Sequence, residues 1–220
     1  MPDFAVMTVC LPKATPSDQI ATAASALLAA HGITDAGPAG HFLTATRLRT
    51  AQLLQPWKGT AAGGPIRLLD LARMRNDLSQ SYWRRWQLWH QIVAGSPVAR
   101  PWWHFYDRHT ADPKAYTWDH ARHGFASQPR IARMLTYNSH PGRVTDLALE
   151  HLDAFEAGPQ AYATYGWLRA VPCHSMLTLD GQLLRPTSAR YTDQLDYLRQ
   201  ANEHIARLAA ADLLAAIATK

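Results

Sequence analysis

The feature that most narrows the fold is a stripe of large apolar side chains. Leu71, Met74, Leu78, Tyr82, Trp86, Trp89 and Val93 recur every three or four residues, the spacing that puts them on one face of an α-helix. Arg73, Asp77, Gln80, Arg84, Gln87 and Gln91 take the other side. The stripe predicts one helix of about 28 residues. Pro65 suits its first turn, and Gly95 and Pro97 stop it.

On either side of this helix the pattern changes. "DFAVMTVCL" (3–11) is rich in β-formers and reads as a buried strand ended by Pro12 and Pro16. Ser17 suits a helix cap with Asp18 in the first turn, and Ile20, Ala24, Leu27 and Leu28 then share a face until Gly32. Residues 32–65 are rich in Gly, Pro and Thr around "HFLTATRLRTAQLL", and 55–65 read as a loop. Short helices are expected at 118–127, 129–137, 146–157 and 160–169. In "HSMLTLDGQLLRP", Asp180-Gly181 between apolar runs signals a hairpin. Tyr191, Leu195, Leu198, Ala201, Ile205 and Leu208 line one face of a further helix. Residues 212–218 ("DLLAAIA") then read as a closing strand, with continuation of the helix as the alternative. The order strand, helix, hairpin, helix, strand predicts an α+β protein. Its expected core is a small ferredoxin-like split βαβ unit built from 1–35 and 170–220. Residues 36–64 would be a linker or loop, and 65–169 a large, mainly helical, basic insertion.

A chain of 220 residues holds one sizeable domain, or a domain with an insertion. At 47% hydrophobic and 18% charged it reads as globular. Residues 47–144 carry 15 Lys/Arg against 5 Asp/Glu, and both flanks are mildly acidic. Seven of the eight tryptophans lie in that basic stretch. Such segregation points to an anionic partner, with nucleic acid ahead of a small phosphorylated ligand. No run approaches the roughly 18 apolar residues of a membrane span, so no membrane partner is expected. The N-terminus lacks a basic segment before its short apolar run and reads as a strand, not a signal peptide. The expected location is therefore the cytoplasm, with Cys10 and Cys173 as free thiols.

The two ends, in "FAVMTV", "MLTLDGQLL" and "YLRQANEHIARLAAADLLAAIAT", resemble uncharacterised proteins of actinobacteria and their phages. That likeness covers about a third of the chain. Where those proteins carry a Trp- and Gly-Gly-Arg-rich segment, this chain has "LLQPWKGTAAGGP", and it lacks their Cys-His ending. The resemblance implies no activity, so it assigns no residue a role.

Chemistry-bearing side chains crowd into residues 99–125. His104, Asp107 and His109 form one set, and Asp119 and His123 another, one helical turn apart. Histidine titrates near neutral pH, so a His–Asp pair is a candidate general base. These five are the candidate catalytic residues. The spacing matches no known metal motif, and no metal ligand is assigned. Arg84, Arg85, Arg100, Arg108, Arg122, Arg130 and Arg133 are the candidate anion-binding residues. Trp83, Trp102 and Trp103 are the candidates for stacking on unpaired bases. Cys173 in "VPCHSM" reads as a buried structural cysteine. "GTAAGGP" (59–65) is a weak phosphate-cradle signal with an ordinary loop as the alternative. The leading expectation is a binding protein for an anionic partner. The alternatives are a small enzyme of nuclease or phosphoryl-transfer type, and an assembly subunit docking through an aromatic surface, on itself included. No cofactor is identified.

Overall fold

The computed structural model describes residues 5–45 and 50–220. The ends of two expectations, residues 3–4 of the first strand and 46–49 within "HFLTATRLRTAQLL", lie outside them. In chain order the elements are β1 (Ala5–Leu11), α1 (Ile20–Ala30), β2 (Asp35–Pro38), β3 (Phe42–Leu43), β4 (Thr60–Ala61), β5 (Gly63–Pro65) and α2 (Leu71–Val93). Then come α3 (Trp102–Ala111), α4 (Trp118–Ala126), α5 (Pro129–Ser139), α6 (Leu152–Glu156) and α7 (Pro159–Arg169). The chain closes with β6 (Ser175–Leu177), β7 (Leu183–Leu184), α8 (Tyr191–Arg207) and β8 (Leu213–Thr219). The protein is thus α+β, with two compact units: residues 1–78 together with 166–220, and residues 79–165.

The first unit is built on a mixed sheet ordered β2-β8-β1-β6-β7, with β5 also paired to β8. β8 runs antiparallel to β1 over its whole length, from Ala5↔Thr219 to Leu11↔Leu213. Its other edge is shared by β2 and β5. Alternation then sorts the side chains. Met7, Val9, Leu11, Leu213, Ala215 and Ile217 pack with Ile20, Ala24 and Leu28 of α1. Thr8, Cys10, Leu214 and Ala216 on the opposite face are buried as well. A strand buried on both faces tolerates "LLAAIAT", because apolar burial outweighs the helical preference of alanine. Asp212 enforces the break from α8: its carboxylate accepts from the N–H of Ala209 at 2.8 Å and of Lys13 at 3.3 Å.

Several expectations need correction here. A split βαβ is present, with β8 lying between β1 and β2. The hairpin, however, joins β1 through its first strand, β6, in parallel register. A ferredoxin-like sheet places the second hairpin strand there, so the strand order departs from that fold. Residues 36–64 are not a bare linker, since β3, β4 and parts of β2 and β5 fall within them. Gly63 and Gly64 serve the sheet rather than a phosphate. A Cβ on Gly63 would sit 2.3 Å from the Leu214 carbonyl oxygen, and both glycines are buried. Pro65 ends β5, and the long helix starts later, at Leu71. Asp70 caps it, accepting from the N–H of Arg73 at 3.0 Å. The helix therefore has 23 residues.

The second unit is helical. Tyr82, Trp89 and Val93 of the α2 stripe are buried, and the Trp86 indole donates to the Phe155 carbonyl at 2.8 Å. Trp89 stacks on Phe155 with ring centroids 5.1 Å apart. This unit is less basic than the stretch 47–144. It carries nine Lys/Arg against seven Asp/Glu, because Arg47, Arg49, Lys58, Arg67, Arg73 and Arg75 belong to the other unit. Its charge is nevertheless segregated: all nine cations lie in 79–145 with three acids, and four acids lie in 146–156.

Candidate nucleic-acid interface

Residues 99–125, the densest part of the sequence in His and Trp, fold as the antiparallel-type pair α3 and α4. Pro101 precedes the first helix. Asp112 closes the turn between them by accepting from the Ala115 N–H at 3.0 Å. Thr117 caps α4, accepting from the His120 N–H at 3.3 Å. The two helices approach closely at Gly124, where a Cβ would meet Phe105 and the Tyr116 hydroxyl at 3.1 Å. Trp102 bridges them edge-on, 5.3 Å from Trp118 and 5.6 Å from Phe125.

Along this pair runs a groove of about 480 Å³ lined by Trp102, Trp118, Arg122, Phe125, Ile131, Leu135 and their neighbours. Trp118 is 41% exposed and Leu135 40%. Trp118 and Arg122 are one helical turn apart, so an indole face and a guanidinium share one rim. A second, shallower groove of about 430 Å³ is lined by Ser79, Gln80, Trp83, Arg84 and Ala163. It repeats the pairing, with an indole 37% exposed beside an arginine. Neither Arg84 nor Arg122 has a hydrogen bond, ion pair or ring contact among the described residues. Each can meet an anion without first breaking a bond.

The remaining candidate arginines are engaged. Arg130 donates to both carboxylate oxygens of Glu156 at 2.6 Å, to the Ser96 carbonyl at 2.6 Å and to the Ser96 hydroxyl at 3.1 Å. Arg133 donates to the Ala94 carbonyl. Arg133 thus sits at the end of α2, where carbonyls lack helical donors and the helix dipole favours a cation, while Arg130 holds Ser96, three residues past the helix. For an anion, each of these two guanidiniums would first have to give up an internal bond. Arg85 lies 5.4 Å from the Tyr82 ring and reaches Thr145 at 3.4 Å. Arg108 covers the Tyr116 ring at 4.2 Å, and Arg100 meets His104. Trp102 and Trp103 are half-buried in aromatic contacts, Trp103 against Tyr106 at 5.4 Å.

Of the five candidate catalytic residues, His104 and His109 each hold a partner outside the set. Arg100 donates to His104 Nε2 at 2.9 Å. A guanidinium only donates, so this nitrogen is an acceptor. His109 Nδ1 donates to the Tyr116 carbonyl at 2.8 Å, which fixes its proton there. No hydrogen bond joins Asp119 to His123 among the described residues. Among the same residues no three His, Cys, Asp or Glu side chains gather as a metal site would require.

Sequence reasoning passed over two groups. One is Trp118, although its spacing to Arg122 was readable. The other is buried: His151 Nδ1 lies 2.9 Å from the Tyr162 hydroxyl, and Tyr162 is fully buried among Tyr82 and Phe155. Burial pushes the Tyr162 phenol well above its usual range, opposed by a hydrogen bond from Arg85. Its members line neither groove. No helix of the described residues is long and apolar enough to cross a membrane. Compared with known protein families, curated proteins and solved structures, the chain matches none.

Proposed function

We propose that the protein binds nucleic acid, through unpaired stretches, by way of residues 79–165. The observation that carries this reading is the repeated pairing of a solvent-facing indole with an unengaged arginine: Trp118 with Arg122, and Trp83 with Arg84. An indole face accepts any base by stacking, and a guanidinium takes the neighbouring phosphate. Residues 79–165 are on this reading an insertion into the α+β unit, since the chain leaves that unit after Leu78 and re-enters it at Gly166. Both cysteines are free thiols, which suits the cytoplasm. A small acid–base enzyme fits less well, because His104 and His109 hold partners outside the candidate set and no hydrogen bond joins Asp119 to His123 among the described residues.

The test is titration of a fluorescent single-stranded oligonucleotide at several salt concentrations. Two phosphate contacts give a log–log slope near −1.4, and recruiting Arg100, Arg108 and Lys114 as well takes it to about −3.5. Trp118→Ala and Arg122→Ala should each weaken binding at least fivefold, with His104→Ala and His123→Ala unchanged. Absence of binding at 50 mM salt, or equal affinity for all four variants, sinks the proposal.

A further inference from the structure

A separate concavity in the first unit has the makings of a small-ligand site. Residues 54–63 form a hairpin, with Leu54 bridged to Gly63 and Trp57 to Thr60. At its tip Trp57 and Thr60 exchange both backbone hydrogen bonds, at 2.7 and 2.9 Å. The two residues between them, Lys58 and Gly59, have φ of +45° and +89°. This is the pattern of a type I′ turn, whose first central position is most easily filled by Asn, Asp or Gly. Lys58 occupies it against that preference. Gln55, three residues earlier, also has a positive φ, of +44°. Two of the three non-glycine residues with positive φ among the described residues thus bracket Pro56-Trp57. Backbone strain gathered in this way marks places where geometry serves a ligand.

The strain has a visible product. Trp57 is 70% exposed, more than any other tryptophan whose exposure is large. Its indole carries the Lys58 ammonium at 5.3 Å from the ring centroid. The Thr60 hydroxyl donates to the Trp57 carbonyl at 2.7 Å, which leaves its oxygen lone pairs for another donor and holds the tip in shape. Around them is a concavity of about 610 Å³, lined also by Thr44, Thr50 and Pro56, within the size range of small-molecule sites. Among the described residues its lining holds one cation, three hydroxyls and an indole, and no carboxylate.

We infer that this concavity binds a small ring compound bearing a phosphate. The ring lies against the indole of Trp57, and the phosphate takes the Lys58 ammonium and the hydroxyls of Thr44 and Thr50. The site is independent of the nucleic-acid reading, since none of its residues belongs to 79–165.

Calorimetric titration of the full chain with AMP tests it, with adenosine and inorganic phosphate as controls. AMP should bind at least tenfold more tightly than either half alone. Trp57→Ala and Lys58→Gly should each weaken AMP tenfold or more. Lys58→Gly is the decisive variant: glycine accepts the positive φ, so its melting temperature holds or rises, and lost binding cannot be ascribed to unfolding. Trp118→Ala should leave AMP binding unchanged. No binding of AMP by the natural chain, binding retained by both tip variants, or a loss in Trp118→Ala equal to theirs overturns the inference.

Discussion

Replacing Arg130 by methionine tests whether this arginine holds the helical unit together or faces a ligand. Its side chain is 11% exposed and that of Glu156 is 21% exposed. Removing one partner of such a pair strands the other; a fully buried pair loses about 3–5 kcal/mol, and the partial exposure of Glu156 places this case near 3 kcal/mol. That figure already contains the Ser96 carbonyl, in the turn that follows α2, which loses its donor at the same time. With a urea m-value of about 2 kcal/mol/M, the unfolding midpoint should fall by about 1.5 M. Tryptophan fluorescence reports it directly, because the guanidinium lies 5.6 Å from the Trp89 ring. Adding Glu156→Gln removes the stranded charge and should recover all but about 1 kcal/mol, the share of the lost carbonyl hydrogen bond. Binding of the single strand by the folded Arg130→Met protein should be unchanged. A stability loss below about 1 kcal/mol, or a selective loss of binding, would mean that the guanidinium is free for an anion and that its structural assignment is wrong.

Three further outcomes follow from the same geometry. Tyr162→Phe removes the hydroxyl 2.9 Å from buried His151 and should cost about 1–3 kcal/mol in chemical denaturation; a neutral result would show that another group satisfies the ring. Gly63→Ala forces a Cβ to 2.3 Å from the Leu214 carbonyl oxygen and should lower stability by about 2 kcal/mol or more, whereas Gly59→Ala, with open space around it and strain only from its φ, should cost less. The Cys10 thiol is pushed up to about 12 from an ordinary 9.0, by burial first and then by Asp212 and Asp180. The folded state therefore keeps a proton that the unfolded state releases. This contribution is complete below pH 9 and declines as pH rises from 9 towards 12, and Cys10→Ala should flatten that decline in melting temperature.

The readable part of the fold was the part with strong local periodicity. The α2 stripe, the α8 stripe and the β-former-rich run of β1 all match structure to within a few residues. The Asp180-Gly181 signal also marked a real hairpin, although the connection is longer than two residues: Thr178 pairs with Gln182 and Gly181 takes φ of +83° inside the turn. What stayed hidden was set by distant partners. β2 and β5 are strands because β8 offers them an edge, and nothing in "DAGP" or "GGP" says so. Strand order is likewise non-local, which is why a correct list of elements led to a ferredoxin-like arrangement that the sheet does not adopt. In the candidate site, the i, i+4 relation of Trp118 and Arg122 was legible. The engagement of Arg130 was not, because its partners are 26 and 34 residues away.

That distance explains why counting cations overstates a binding surface. An arginine carries five N–H donors, and the nearest acceptors are usually the protein's own. Helix ends supply unpaired carbonyls, aromatic faces supply negative quadrupoles, and both compete with phosphate before any ligand arrives. Here the carbonyls after α2 take Arg130 and Arg133, and Tyr116 takes Arg108. Phosphate must outbid these internal bonds for such residues, whereas Arg84 and Arg122 have none to give up among the described residues. Affinity should therefore follow the few unengaged cations that sit beside an exposed ring, and depend only weakly on the total positive charge of the chain.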